Sequence, residues 1–206
     1  GFAHFKKQLA KMQIAPQQIQ YIFYDDHAGY LNEILSGCSD IQMIMSDKAL
    51  ERLYRGQNSF HGGCTTKIAL FFCSLMKFVG KGKHLFPPIK QEYSCRCIQV
   101  TKQNRKEMEL LLQGKIIDTP GHTADSISLL LNDGSLFCGD AAMNGLPSLH
   151  RITIWAEDKT AFLKSWETII AHRPNLIYPG HGKPFGYDDL KTNLKRAKNM
   201  KLLPIY

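Results

Sequence analysis

Two imidazoles and a carboxylate stand in this sequence at places where the chain is forced to turn. Pro120-Gly121-His122-Thr123 delivers one imidazole to a loop through a Pro-Gly turn. An apolar strand follows, and a second strand ends on Gly139-Asp140 with a carboxylate. Further on, Tyr178-Pro179-Gly180-His181-Gly182 repeats the device and presents His181. Near the start, a short apolar run leads to Asp26-His27, another carboxylate and imidazole side by side. Neutral His nitrogens and carboxylate oxygens on rigid loop tips are donors suited to a zinc-like ion. Taken singly, each residue has a plainer reading. A lone histidine is more often a surface or satisfied core residue, which is how His4, His61, His84, His150 and His172 are read. Asp26 and His27 alone read equally well as a helix N-cap pair. Asp140 is harder to dismiss, because a carboxylate that ends a buried strand needs a partner.

The elements that must position these residues follow from hydrophobic periodicity. Phe5, Leu9 and Met12 recur at helical spacing in an opening helix that stops before Pro16. Ile19 to Tyr24 reads as a strand, and a helix is expected from Asp26 to near Gly37. Ile41 to Met45 is the next strand, with Ser46 capping a helix that runs through Leu53. Residues 57–90 change character: Gly62-Gly63 breaks the chain, and Ile68, Phe71, Phe72, Leu75, Met76 and Val79 then line one helical face. The plainer reading is a core helix, and the sharper one is an insertion that covers a pocket. The second half alternates. Strands are expected near Cys97 to Val100, Lys115 to Ile117, Ile127 to Leu131 and Ser135 to Cys138, with Asn132-Asp133-Gly134 as a hairpin turn. A helix from Asp158 to His172 buries Phe162, Trp166, Ile169 and Ile170. Leu176 to Tyr178 is a strand, and a basic helix begins at Asp188. Helices following strands indicate a layered α/β domain.

Composition sets the outer limits. A chain of 206 residues with 44% hydrophobic and 21% charged residues is that of one globular domain, residues 1–206. Its strongest apolar stretch, Ile68 to Met76, is about half of what a bilayer span needs. No membrane is expected, nor a signal peptide, and the reading is a cytoplasmic protein. Cys38, Cys64, Cys73, Cys95, Cys97 and Cys138 are expected as free thiols. The net charge of +8 comes from basic residues spread along the chain without interleaved aromatics, which reads as a solvated face rather than a nucleic-acid footprint and keeps an anionic substrate open; the expected partner is a small-molecule substrate.

The order of these motifs resembles the metallo-β-lactamase superfamily. There a His-x-His-x-Asp-His loop, a Gly-His-Thr loop, a Gly-Asp strand end and a late Gly-His supply the metal ligands. Gly121-His122-Thr123, Gly139-Asp140 and Gly180-His181 match in order and context, and Asp26-His27 matches the second half of the first motif. The resemblance implies an α/β fold, a four-layer αββα sandwich with one or two divalent ions, zinc or else iron or manganese, at one edge. It implies Asp26, His27, His122, Asp140 and His181 as metal ligands, with Asp26 also catalytic in orienting water. The implied reaction is hydrolysis by metal-bound hydroxide of an ester-, lactone-, thioester- or amide-type bond. The alternatives are a nuclease or phosphodiesterase of the same fold, or a metal-depleted, non-catalytic relative. The sequence departs from the family at one place, because Ile22 and Tyr24 stand where the two histidines of His-x-His fall. The family's β-hairpin before the opening helix is also absent here. We expect a Thr-His-x-His-like segment to exist between Phe23 and Asp26 and to be disordered. A true deletion would leave one metal position badly depleted and favour the impaired-site alternative.

Overall fold

The computed structural model describes residues 2–25, 29–59, 61–78 and 85–205. It covers the 206-residue sequence without omission, so no Thr-His-x-His-like segment intervenes between Phe23 and Asp26. The expectation of a hidden segment is therefore corrected, and the short connection belongs to the chain. Asp26 and His27 lie outside the described residues.

The first half builds a parallel sheet. Strand β1 (Tyr21–Phe23) pairs with β2 (Gln42–Ser46), which pairs with β4 (Cys97–Val100). Side chains on a strand alternate between faces, and β2 shows the consequence. Met43 and Met45 pack on helices α1 (Phe2–Lys11), α2 (Leu31–Gly37) and α3 (Ala49–Arg55), whereas Ile44 faces the other way. The described part of the second helix starts at Leu31, after a turn at Gly29 and Tyr30, rather than at Asp26. Ser46 ends β2, and its hydroxyl accepts from Lys48 N at 3.3 Å, but the N-cap position of α3 is Lys48, so the expectation that Ser46 caps this helix is corrected.

The second half builds a mixed sheet. Strands β5 (Gly114–Asp118), β6 (Ile127–Leu131) and β7 (Ser135–Gly139) run antiparallel in sequence order, and β9 (Leu176–Pro179) lies parallel to β7. Asn132-Asp133-Gly134 makes the expected hairpin turn, with Gly134 N donating to Leu131 O. Ile116, Ile127 and Leu129 meet Ile44, Val100 and Met108, where Met108 belongs to the short helix α5 (Arg105–Leu111); this is the core between the sheets. Ile117, Leu136 and Ile177 face outward onto helices α6 (Lys159–His172) and α7 (Asp188–Asn199). There Phe162, Trp166 and Ile169 are fully buried. Helices, sheet, sheet, helices: the fold is a four-layer αββα sandwich.

Between the halves, β3 (Gly63–Cys64) pairs with β8 (Trp155–Ala156). Cys64 also exchanges backbone hydrogen bonds of 2.8 Å each way with Leu203. Helix α4 (Lys67–Met76) follows β3, capped by Thr66 Oγ1, which accepts from Ala69 N. This is the helix whose apolar face suggested a core element. Of its residues just Ala69 is buried, while Phe71 is 73% and Leu75 50% exposed, so the core-helix expectation is corrected. The helix is apolar on more than one side, and a single stripe of periodicity does not reveal which side a fold covers. All six cysteines are free thiols, as expected. Among the described residues no helix is long and apolar enough to cross a membrane.

Candidate metal centre

His122 sits between Gly121 and the start of α6. Gly121 has φ of +136°, and a Cβ there would overlap the backbone of Phe162, so glycine is required by both conformation and contact. The loop is anchored because Gly121 O accepts from Glu157 N and Asp158 N, and Pro120 O accepts from Ser165 Oγ. His122 is 7% exposed. Its Nδ1 lies 2.8 Å from the carbonyl oxygen of Trp155. A carbonyl can only accept, so Nδ1 carries the proton and Nε2 the lone pair of the neutral ring. That Nε2 is 3.8 Å from Asp140 Oδ2.

Asp140 follows Gly139 at the end of β7 and is 5% exposed. The next carbonyl, that of Ala141, accepts from Trp166 Nε1 at 2.8 Å, so α6 steadies this strand end as well as the His122 loop. Asp140 Oδ1 accepts from His181 Nδ1 at 2.8 Å. His181 rides on the turn after β9, whose Gly180 must be glycine because a Cβ there would come within 2.8 Å of Asp140 Oδ1. His181 is the accessible member of the three, with 56% of its side chain exposed.

The structure thus brings His122, Asp140 and His181 together. They share a cavity of about 560 Å³ that is also lined by Phe72, Met76 and Trp155. Asp26 and His27 lie outside the described residues, so their part in the site rests on sequence. Neither Ile22 nor Tyr24 lines the cavity that His122, Asp140 and His181 share. Tyr24 is 4% exposed within the core over α2, and Ile22 packs against the same cluster.

The fit to a metal ion is partial. Two imidazoles and a carboxylate are the right donors, and His122 Nε2 faces a carboxylate oxygen across a gap too long for a hydrogen bond, an arrangement that suits a cation between them. Yet among the described residues no group of three or more such side chains is arranged to hold an ion. His181 Nδ1 is engaged with Asp140 rather than converging with His122.

Two further residues shape the site without being evident in sequence. Asp25 accepts from Ile127 N at 3.0 Å and from Asp140 N at 3.2 Å, binding the end of β1 to the strand that carries Asp140. Its signal was hidden beside Asp26, which drew the metal reading. Glu157 lines the cavity, accepts from Ala124 N at 2.8 Å and precedes the Asp158 cap of α6. Burial raises its carboxyl pKa above the usual 4.5, opposed in part by the Ala124 hydrogen bond. Burial, with Asp25 and Asp140 nearby, likewise pushes the Cys138 thiol up.

With this geometry in hand, comparison with known proteins is informative. No protein-family model matches the sequence. Over 96 residues the chain is 31% identical to the Beta-lactamase-like protein 2 homolog of Drosophila melanogaster, a match that spans 45% of this chain and 31% of the fly protein. Among solved structures, TTHA1623 in a di-iron-bound form superposes with a TM-score of 0.60 at 14% identity, covering 94% of this chain and 83% of that one. The metallo-β-lactamase FIM-1 from Pseudomonas aeruginosa, in a mono-zinc form, gives a TM-score of 0.55 at 15% identity over 93% and 71% of the two chains. ST1585 of Sulfolobus tokodaii, an archaeal metallo-β-lactamase superfamily protein, gives 0.55 at 17% over 91% and 71%. In order of motifs, in layers and in superposition, this chain has the metallo-β-lactamase fold.

Proposed function

We propose that this chain is a metal-dependent hydrolase acting on an ester-, lactone-, thioester- or amide-type bond of a small molecule. The observation that carries the reading is the meeting of His122, Asp140 and His181 in one cavity. A zinc, iron or manganese ion is assigned to Asp140, His181, Asp26 and His27, with His122 adjoining. When bound, the ion supplies the positive charge that polarises the scissile centre and activates a water. The protein's own residues do the rest. Asp140 holds the His181 proton at Nδ1 and so fixes that ring, while the Trp155 carbonyl fixes the His122 ring through its Nδ1 proton. Asp26 is assigned the orientation of the attacking water. A substrate seated against the apolar wall would displace water from it and so strengthen the electrostatic contacts made there. The mono-zinc and di-iron states of the structural relatives support a divalent ion without choosing one.

The loss of both His-x-His positions to Ile22 and Tyr24 makes one ion a better expectation than two. The same observation favours a second reading, a metal-depleted relative without catalysis. The net charge of +8 keeps a nuclease of the same fold as a third arm of the test. Calorimetric titration of purified protein with zinc, iron(II) and manganese should detect binding. Loaded protein should hydrolyse members of a lactone, ester and thioester panel. Folded protein that binds no metal and turns over nothing would establish the second reading, and cleavage confined to RNA or phosphodiesters the third.

A further inference from the structure

Most of the wall of the candidate site is apolar, and little of that surface is needed for chemistry. Phe72 and Met76 come from α4, Met143 and Leu146 from the loop after Asp140, and Ile154 and Trp155 from around β8. Leu146 is 87% exposed and Phe72 37%, so apolar surface is left in water where it borders the catalytic groups. A wet apolar wall continuous with polar groups marks a binding groove. The volume, about 560 Å³, is within the usual range for a small-molecule site. Two methionines in the lining add flexible, polarisable surface that adapts to an elongated apolar guest.

From these features we infer that the cavity holds the acyl chain of a carboxylic ester or thioester, with the carbonyl at His122, Asp140 and His181. The placement of the carbonyl rests on the hydrolase reading, whereas the chain-binding wall does not. In such a reaction water adds to the acyl carbon, the bond to oxygen or sulfur breaks, the alcohol or thiol leaves with one of the water's protons, and the other proton is released to solvent. The product is a carboxylate whose chain still occupies the cavity, so free fatty acids serve as probes without turnover.

The protein has two tryptophans, and they respond differently. Trp155 lines the cavity, while Trp166 is fully buried on the inner face of α6. Emission of Trp155 is therefore followed during titration with hexanoate, octanoate, decanoate and dodecanoate below their micelle-forming concentrations. Affinity should rise about three- to fourfold per added methylene until the cavity is full. Trp155→Phe should abolish the signal. Leu146→Asp and Phe72→Asp should each weaken decanoate binding at least tenfold. Phe71→Asp, on the exposed side of the same helix, should leave it unchanged. Affinity independent of chain length, or lost in Phe71→Asp and kept in Leu146→Asp, overturns the inference. Chain-length-dependent binding by a protein that hydrolyses no ester or thioester when loaded with metal would sustain the acyl cavity and defeat the hydrolase reading. Hydrolysis with equal preference for acetyl and decanoyl esters would do the reverse.

Discussion

The carboxylate of Asp25 accepts two backbone N–H groups, one of them from Asp140 itself, so the aim of the candidate ligand depends on its neighbour. Asp25→Ala leaves both donors without this acceptor. It is expected to lower unfolding free energy by about 2–4 kcal/mol in urea titration. An unchanged midpoint would show that water or another group replaces the carboxylate. His181→Ala works differently, because the ring is largely exposed and fills no core space. Metal content by elemental analysis and hydrolysis should both fall while circular dichroism is unchanged. Retained metal and activity would remove His181 from the site. Glu157 offers a test through pH. Burial raises its pKa in the folded state, so the folded protein keeps this proton to higher pH than the unfolded chain. Stability contributed at low pH is then lost as pH rises above the ordinary 4.5 towards the folded value. Glu157→Gln should flatten this decline in the metal-free protein, as read from urea midpoints across pH 4 to 7, roughly the span of a perturbed carboxyl. An identical slope in the variant would count against the burial. His122, Asp140 and His181 were legible because the turns that deliver them are written in adjacent glycines and prolines. Asp25 was not, since its partners lie 102 and 115 positions away and no local pattern announces them.

Among the elements, α4 departs furthest from expectation. Its apolar residues were visible in sequence, but periodicity says that a face is apolar and not what covers it. Here Phe72 and Met76 turn to the cavity while Phe71 and Phe78 are left at the surface. Phe72→Ala with Met76→Ala is therefore expected to alter relative rates across lactone, thioester and phosphodiester substrates, with little change in thermal midpoint. A large fall in midpoint with an unaltered substrate profile would restore the core-helix assignment. The longer strands and α6 were readable, the latter from its spacing of Phe162, Trp166, Ile169 and Ile170, and the structure adds the Asp158 cap. Helix α5 and the pair β3–β8 were not. The first is short and largely polar, and the second consists of two-residue strands that exist through tertiary pairing alone.

Across the whole molecule, a buried ion pair joins the halves. Arg52 on α3 meets Asp125, three residues past His122, through Nε at 3.1 Å and through Nη2 at 2.5 Å, with Nη1 on Asn58. Side-chain exposures of 7% and 4% leave water little access to either charge. Removing one partner strands the other, so Arg52→Met is expected to cost about 3–5 kcal/mol. Arg52→Met with Asp125→Leu should recover part of that loss, as a double-mutant cycle in urea would register. Equal losses in the single and double variants would mean that the pair is replaced by solvent. A layered α/β domain was legible because helices follow strands along the sequence, and its four-layer form came from the resemblance of the motifs, whereas this cross-connection depends on which loop approaches which helix.

The exchange of hydrogen bonds between Cys64 and Leu203 has a consequence for timing. Residues through Val100 complete the first sheet, and those through Pro179 complete the second. The cavity wall, in contrast, includes Ile205 and is tied by Leu203 to the base of α4. During synthesis the two sheets can therefore gather before Leu203 and Ile205 are added, so the strand ends that carry His122, Asp140 and His181 come together ahead of this part of the pocket wall.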